Sequence, residues 1–151
     1  MISEIFARLS RERCGAAAVE LALALPFLAA VFLPMVDIGM AAYQQMAVED
    51  AAQAGSAYAL AHGWNSTAIQ TAVTNASDIT GISASPAPTE FCGCPSGGTI
   101  ATVTCGNTCA NGLSAGTYVS VSAQRTFTPL VPYSGYGSSV VLSASSTVRI
   151  D

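Results

Sequence analysis

The sequence predicts an α+β protein in which one long N-terminal helix packs on a small antiparallel β-sheet head. Three observations carry that expectation. Gly15 to Val36 is almost wholly apolar, with Glu20 as its one ionisable residue. An alanine-rich stretch of good helix formers continues from it to about Trp64. From Asp78 onward the composition turns to Ser, Thr, Gly, Val and Pro, with apolar and polar residues alternating in places as they do in half-buried strands.

Met1 to Cys14 is a polar segment carrying Arg8, Arg11 and Arg13. No lysine or arginine follows until Arg125. The apolar run has the roughly 20 residues a helix needs to cross a ~30 Å hydrocarbon core. Positive charge on its N-terminal side alone predicts that side to be cytoplasmic and everything after Val36 to be outside. A cleaved secretory signal has a shorter apolar region of roughly 7–15 residues followed by a small-residue cleavage site. Here a carboxylate stands inside the run and the helical pattern continues past it. Glu20 near the membrane centre would cost about 2.5–3.5 kcal/mol, and less near an edge.

The basic leader, then Gly15, then Ala16-Ala17-Ala18-Val19-Glu20, resembles a type IV prepilin processing site. With Leu21-Ala22-Leu23-Ala24-Leu25-Pro26 and Asp37-Ile38-Gly39, the chain resembles the TadE-like family, pseudopilins of tight-adherence (Flp) pilus systems. It departs from the usual pattern at Leu21, where an aromatic residue is commoner. The resemblance implies a pilin-like fold and cutting between Gly15 and Ala16 by a prepilin peptidase. It also implies a pairing role for Glu20 between subunits. The implied location is the bacterial inner membrane, single pass, with the C-terminal domain periplasmic. The resemblance further implies other pilus-assembly subunits as partners, and a part in cell adhesion.

Residues 1–15 are thus expected as leader, 16–36 as transmembrane helix, 37–64 as an extracytoplasmic helix continuation and 65–151 as the head. Pro26 and Pro34 are expected to bend the helix, because each removes a backbone hydrogen bond. Ile38, Ala41, Ala42, Gln45, Val48, Ala52, Gly55 and Ala59 recur at three- and four-residue steps as a small-residue face. That face suits packing on the head or between subunits. Gln44, Glu49, Asp50 and Gln53 are left for water. His62-Gly63 supplies a stop, and Asn65 or Ser66 a cap for a second helix ending near Ala76.

Strands are expected at Ile79–Ala84, Thr99–Thr104, Thr117–Phe127 and Ser139–Ile150. Pro129, Pro132, Ser134-Gly135 and Gly137-Ser138 mark the last loop. The tail from Tyr118 to the final Val-Arg-Ile also resembles the end of TadE-like proteins. Cys92, Cys94, Cys105 and Cys109 form an even set outside the cytoplasm, which favours two disulfides. A C-x-C pair suits a structural zinc site poorly. Bonding Cys92 to Cys94 would strain a three-residue ring. In a simple hairpin, Cys94–Cys105 inside Cys92–Cys109 nests most naturally.

The chain has 151 residues, no lysine and a formal charge of −4. Without residues 1–15, Arg125 and Arg149 stand against seven carboxylates. Such a surface lacks a phosphate-binding patch, so no nucleic-acid partner is expected. His62 is the only histidine, and no hydrolase or phosphate-cradling motif occurs. No enzyme activity, catalytic residue, metal, cofactor or small-molecule substrate is expected. The sequence therefore points to a minor pilin or pseudopilin, or an accessory membrane subunit for tight-adherence pilus assembly. The alternative is an uncleaved single-pass inner-membrane adaptor or secretion-apparatus component.

Overall fold

The computed structural model describes residues 14–130 and 138–150. The leader with its three arginines, and the loop positions Pro132, Ser134-Gly135 and Gly137, lie outside the described residues. The first helix, α1, spans Cys14–His62 and contains Pro26 and Pro34 without interruption. The second, α2, spans Ser66–Asn75. Four strands follow: β1 (Thr89–Ser96), β2 (Thr99–Thr102), β3 (Gly116–Phe127) and β4 (Val140–Arg149). All pairings are antiparallel, in the order β2-β1-β3-β4. The chain divides into two compact units, 1–40 and 41–151.

Local chemistry sets the helix ends. Gly63 adopts a φ of 75°, a left-handed conformation that glycine accepts without penalty, and its N–H bonds to the Ala59 carbonyl at 2.9 Å. Asn65 is extended, and its Oδ1 accepts from the Ala68 N–H at 3.1 Å. That satisfies one of the amides the first turn of α2 leaves without a partner.

The core of the second unit is built from small residues. Ala47, Val48, Ala51, Ala52 and Ala59 of α1 are buried with Ile69 and Val73 of α2, Ile82, and Val119, Val121 and Ala123 of β3. Gly55 lies at the closest approach. A Cβ there would stand 2.5 Å from Val73 Cγ2 and 2.8 Å from Val121 Cγ1. Part of the predicted small-residue face thus packs within the chain, joined by Ala47, Ala51 and Ser56. Ile38 and Ala42 stay exposed. Two polar ties fix α1 against β4. Ser146 Oγ donates to Ser56 Oγ at 2.9 Å, and Gln45 Nε2 donates to the Ser143 carbonyl at 3.2 Å. Glu49, Asp50 and Gln53 face water as expected, but Gln44 is half-buried and its Oε1 lacks a partner among the described residues.

β1 is a strand where none was expected. It lacks apolar alternation and contains Gly93 and Pro95, both unfavourable inside strands. Two facts explain its formation. Gly97 and Gly98, with φ of 55° and 85°, close a two-residue hairpin between Ser96 and Thr99. Counting from that closing pair, Pro95 opposite Ile100 is a non-hydrogen-bonded pair, so the missing N–H would have pointed away from β2. On that side β3 pairs only as far as Gly93. Conversely, Ile79–Ala84 is not a strand. It meets β3 only at Ser83, which exchanges both backbone bonds with Gln124. Arg125 Nη1 holds the same segment through the Thr80 carbonyl.

The disulfides are Cys92–Cys105 and Cys94–Cys109, with Cα separations of 5.1 and 5.6 Å. This corrects the nested pairing. Nesting assumes one straight hairpin from Cys92 to Cys109. Instead the chain turns at Thr104–Asn107, where Asn107 N–H bonds to the Thr104 carbonyl and Gly106 has a φ of 85°. A separate small hairpin follows, joined by the Thr108–Ser114 bridge and by Cys109 N–H to Leu113 O at 2.7 Å. The reversal exchanges the order in which Cys105 and Cys109 meet β1.

Two expectations follow. Gly55→Val should destabilise the chain by about 1–3 kcal/mol through overpacking. Ala57→Val, on the exposed side, should cost no more than about 0.7 kcal/mol of helix propensity. Urea denaturation of the detergent-solubilised chain checks both. Replacing Cys92 and Cys105 together by Ser should leave no titratable thiol between Cys94 and Cys109, at a loss of about 3 kcal/mol. Replacing Cys92 and Cys109 should leave Cys94 and Cys105 alkylatable.

Candidate functional site

The residues singled out for processing and pairing lie on the first turns of α1. Gly15 opens the apolar stretch, and no atom lies within 4 Å of where its Cβ would be. Glycine inside a helix costs about 1 kcal/mol relative to alanine. Nothing in the described chain packs against Gly15 to recover that cost. Gly39 is equally open, whereas Gly55 is enclosed by the core.

Ala16 and Glu20 are both exposed. They stand four residues apart, about 6 Å along a helix axis, so one helical turn separates the two positions on the same face. From Val19 to Val36 the large side chains are exposed as well, Phe27 at 76% and Val31 at 68%. None of the most apolar 18-residue window is buried. A helix that is hydrophobic all round and uncovered by its own protein needs an apolar surrounding. By length and composition α1 is a candidate membrane span. That is consistent with membrane anchoring near the N-terminus.

Asp37 was expected to mark the helix's exit into water. It is buried instead, 2% exposed, and it is not a free charge. It stands four residues before half-buried Ala41 and eleven before buried Val48, so helical spacing puts it on the same side of α1 although its charge suggests exposure. The four cysteines sit away from these positions in sequence and act on the β1 region, where Cys92, Cys94 and Cys109 are buried and Cys105 is exposed.

The family model for TadE-like proteins matches residues 15–57. The match begins at Gly15 and takes in Ala16, Glu20, Asp37 and Gly55, joining the exposed apolar segment to most of the α1 face that packs on the head. The similarity to TadE-like proteins is confined to this segment. No curated protein and no solved structure matches the chain.

Proposed function

We propose that this chain, TadE-like over residues 15–57, is a minor pilin or accessory pseudopilin in tight-adherence pilus assembly. The observation that supports the reading most is the start of the family match at Gly15, a glycine that no packing contact requires. A membrane peptidase must fit the chain closely around the bond it cuts, and glycine offers no side chain to obstruct it. On this reading cleavage frees the α-amino group of Ala16. The segment to Val36 holds the subunit in the inner membrane, and the head stands on the extracytoplasmic side.

Glu20 then has a physical role. In hydrocarbon an unpaired carboxylate is costly, and an ammonium group nearby offsets that cost. The Ala16 amine of a neighbouring subunit supplies such a group and sets the axial register between two helices. The role is structural rather than catalytic.

N-terminal mass determination tests the reading. Protein from a strain with an active prepilin peptidase should begin at Ala16, and Gly15→Val should retain Met1. Wild-type protein recovered only at full length in the inner membrane would instead favour the uncleaved adaptor.

Glu20→Leu separates pairing from anchoring. It should insert at least as well as wild type, be cut normally and lose pilus assembly when it is the sole copy. Full pilus yield with that variant would remove the pairing role.

A further inference from the structure

The two disulfides differ in exposure. Cys94 and Cys109 are both buried, at 9% and 8% exposed. In the other bridge Cys92 is buried at 8%, but Cys105 is exposed. Its neighbours Thr104, Gly106 and Asn107 are exposed as well, and none carries a large apolar or charged side chain. Between Glu90 and Arg125 the sequence has no charged residue, so nothing in that stretch repels an incoming anion.

In thiol–disulfide exchange a thiolate attacks one sulfur of the bridge, and the rate depends on access to that sulfur. The thiolate approaches in line with the S–S bond, from the side opposite the leaving sulfur. For Cys92–Cys105, attack on Cys105 comes from the exposed turn. Attack on Cys92 would have to come through β1, where Cys92, Gly93 and Cys94 are all buried. Cys94–Cys109 offers no exposed residue at either end.

We infer that Cys92–Cys105 is a reversible exchange site for an external dithiol, with Cys105 the residue attacked and Cys92 the leaving group, while Cys94–Cys109 is the structural bridge. A thiolate of the dithiol bonds to Cys105 Sγ, and the S–S electron pair leaves on Cys92 Sγ, which takes up a proton. The second thiol of the reductant then loses its proton, attacks its own partner sulfur in the mixed disulfide and displaces Cys105, which is protonated in turn. Two electrons pass to the protein. The dithiol ends as a disulfide, and Cys92 and Cys105 end as thiols. An oxidised dithiol runs the same steps backward.

Opening is local. None of the four cysteines belongs to the core cluster built on α1, α2 and β3. The small Thr108–Ser114 hairpin stays tied to β1 through Cys94–Cys109. β2 stays paired to β1 from Gly93 to Ser96. The Val103 N–H bonds to the Cys92 carbonyl at 2.9 Å, which keeps Cys105, two residues on, close to its former partner. The two thiols are therefore placed to close the same bridge again. This chemistry is independent of the pilus reading and of how α1 is anchored.

The test uses the full-length Cys14→Ser chain in detergent, so that every thiol detected comes from a bridge. Dithiothreitol is the dithiol probe. Samples are quenched with N-ethylmaleimide at intervals, and the labelled positions are mapped by mass spectrometry. Cys92 and Cys105 should be labelled together, on the order of tenfold faster than Cys94 and Cys109, since access governs exchange. Glutathione, which has one thiol, should leave a mixed disulfide on Cys105 after acid quenching, with Cys92 as the free thiol. In the one-bridge form, amide hydrogen exchange should rise across 104–107 while β3 and β4 keep their protection. Replacing the reductant with oxidised glutathione should restore Cys92–Cys105. Opening of Cys94–Cys109 first or at an equal rate, glutathione on Cys92, protection lost from β3 and β4, or reclosure to another pairing overturns the inference.

Discussion

The fold of residues 41–151 depends on how near α1 comes to β3. At Gly55 the helix backbone lies so close to Val121 and Val73 that a methyl group would collide with both. Alanines at 51, 52 and 59 extend the same close contact along the helix. Dispersion attraction falls away steeply with separation, so a core of small side chains is cohesive only at such short range. This close contact also explains the polar ties. With α1 near the sheet, short side chains such as Ser56 and Ser146 reach each other directly.

A core of this kind is thin. Its largest fully buried side chains are Ile69, Val48, Val73, Val119 and Val121, with no aromatic among them. Small domains with little apolar area to bury gain much from covalent cross-links. Here both bridges act on the part of the sheet farthest along from β4, where β1 has a weak strand sequence and β2 is only four residues long. Cys92–Cys105 and Cys94–Cys109 tie that region to the loop that would otherwise close only through backbone bonds. The stacked Phe91 and Tyr118, with centroids 5.8 Å apart, support the same region from the other face.

Along α1 two different pressures act on one helix. Past Ala47 the buried residues follow the head, and a change in size is a change in packing. From Gly15 to Val36 none of the described side chains is buried, so hydrophobicity, helix formation and outside partners are what constrain them. Gly15 and Glu20 are poor choices on the first two grounds, one for helix propensity and the other for lipid.

Some of this was legible in the chain itself. The apolar run, the Asn65 cap, the Gly63 stop, the alternation of Val119, Val121 and Ala123 in β3 and the even set of cysteines each follow from local chemistry. Gly15 and Glu20 stand out in the sequence as exceptions to a local pattern. What tertiary structure decided was every matter of pairing. β1 exists because β2 and β3 use its backbone, although its residues favour no strand; the Gly97-Gly98 turn was the one local sign of it. Ile79–Ala84 has strand-like residues, but it pairs with β3 only at Ser83, opposite Gln124, beyond the Gly116–Ser120 stretch that β1 uses. The cysteine pairs were set by a reversal at Thr104–Asn107 that brings distant residues together in an order spacing cannot reveal. Asp37 has the charge of an exposed residue and is buried; it lies on the same helical stripe as Ala41, Val48 and Ala52, and only the structure shows that its position on that stripe outweighs its charge.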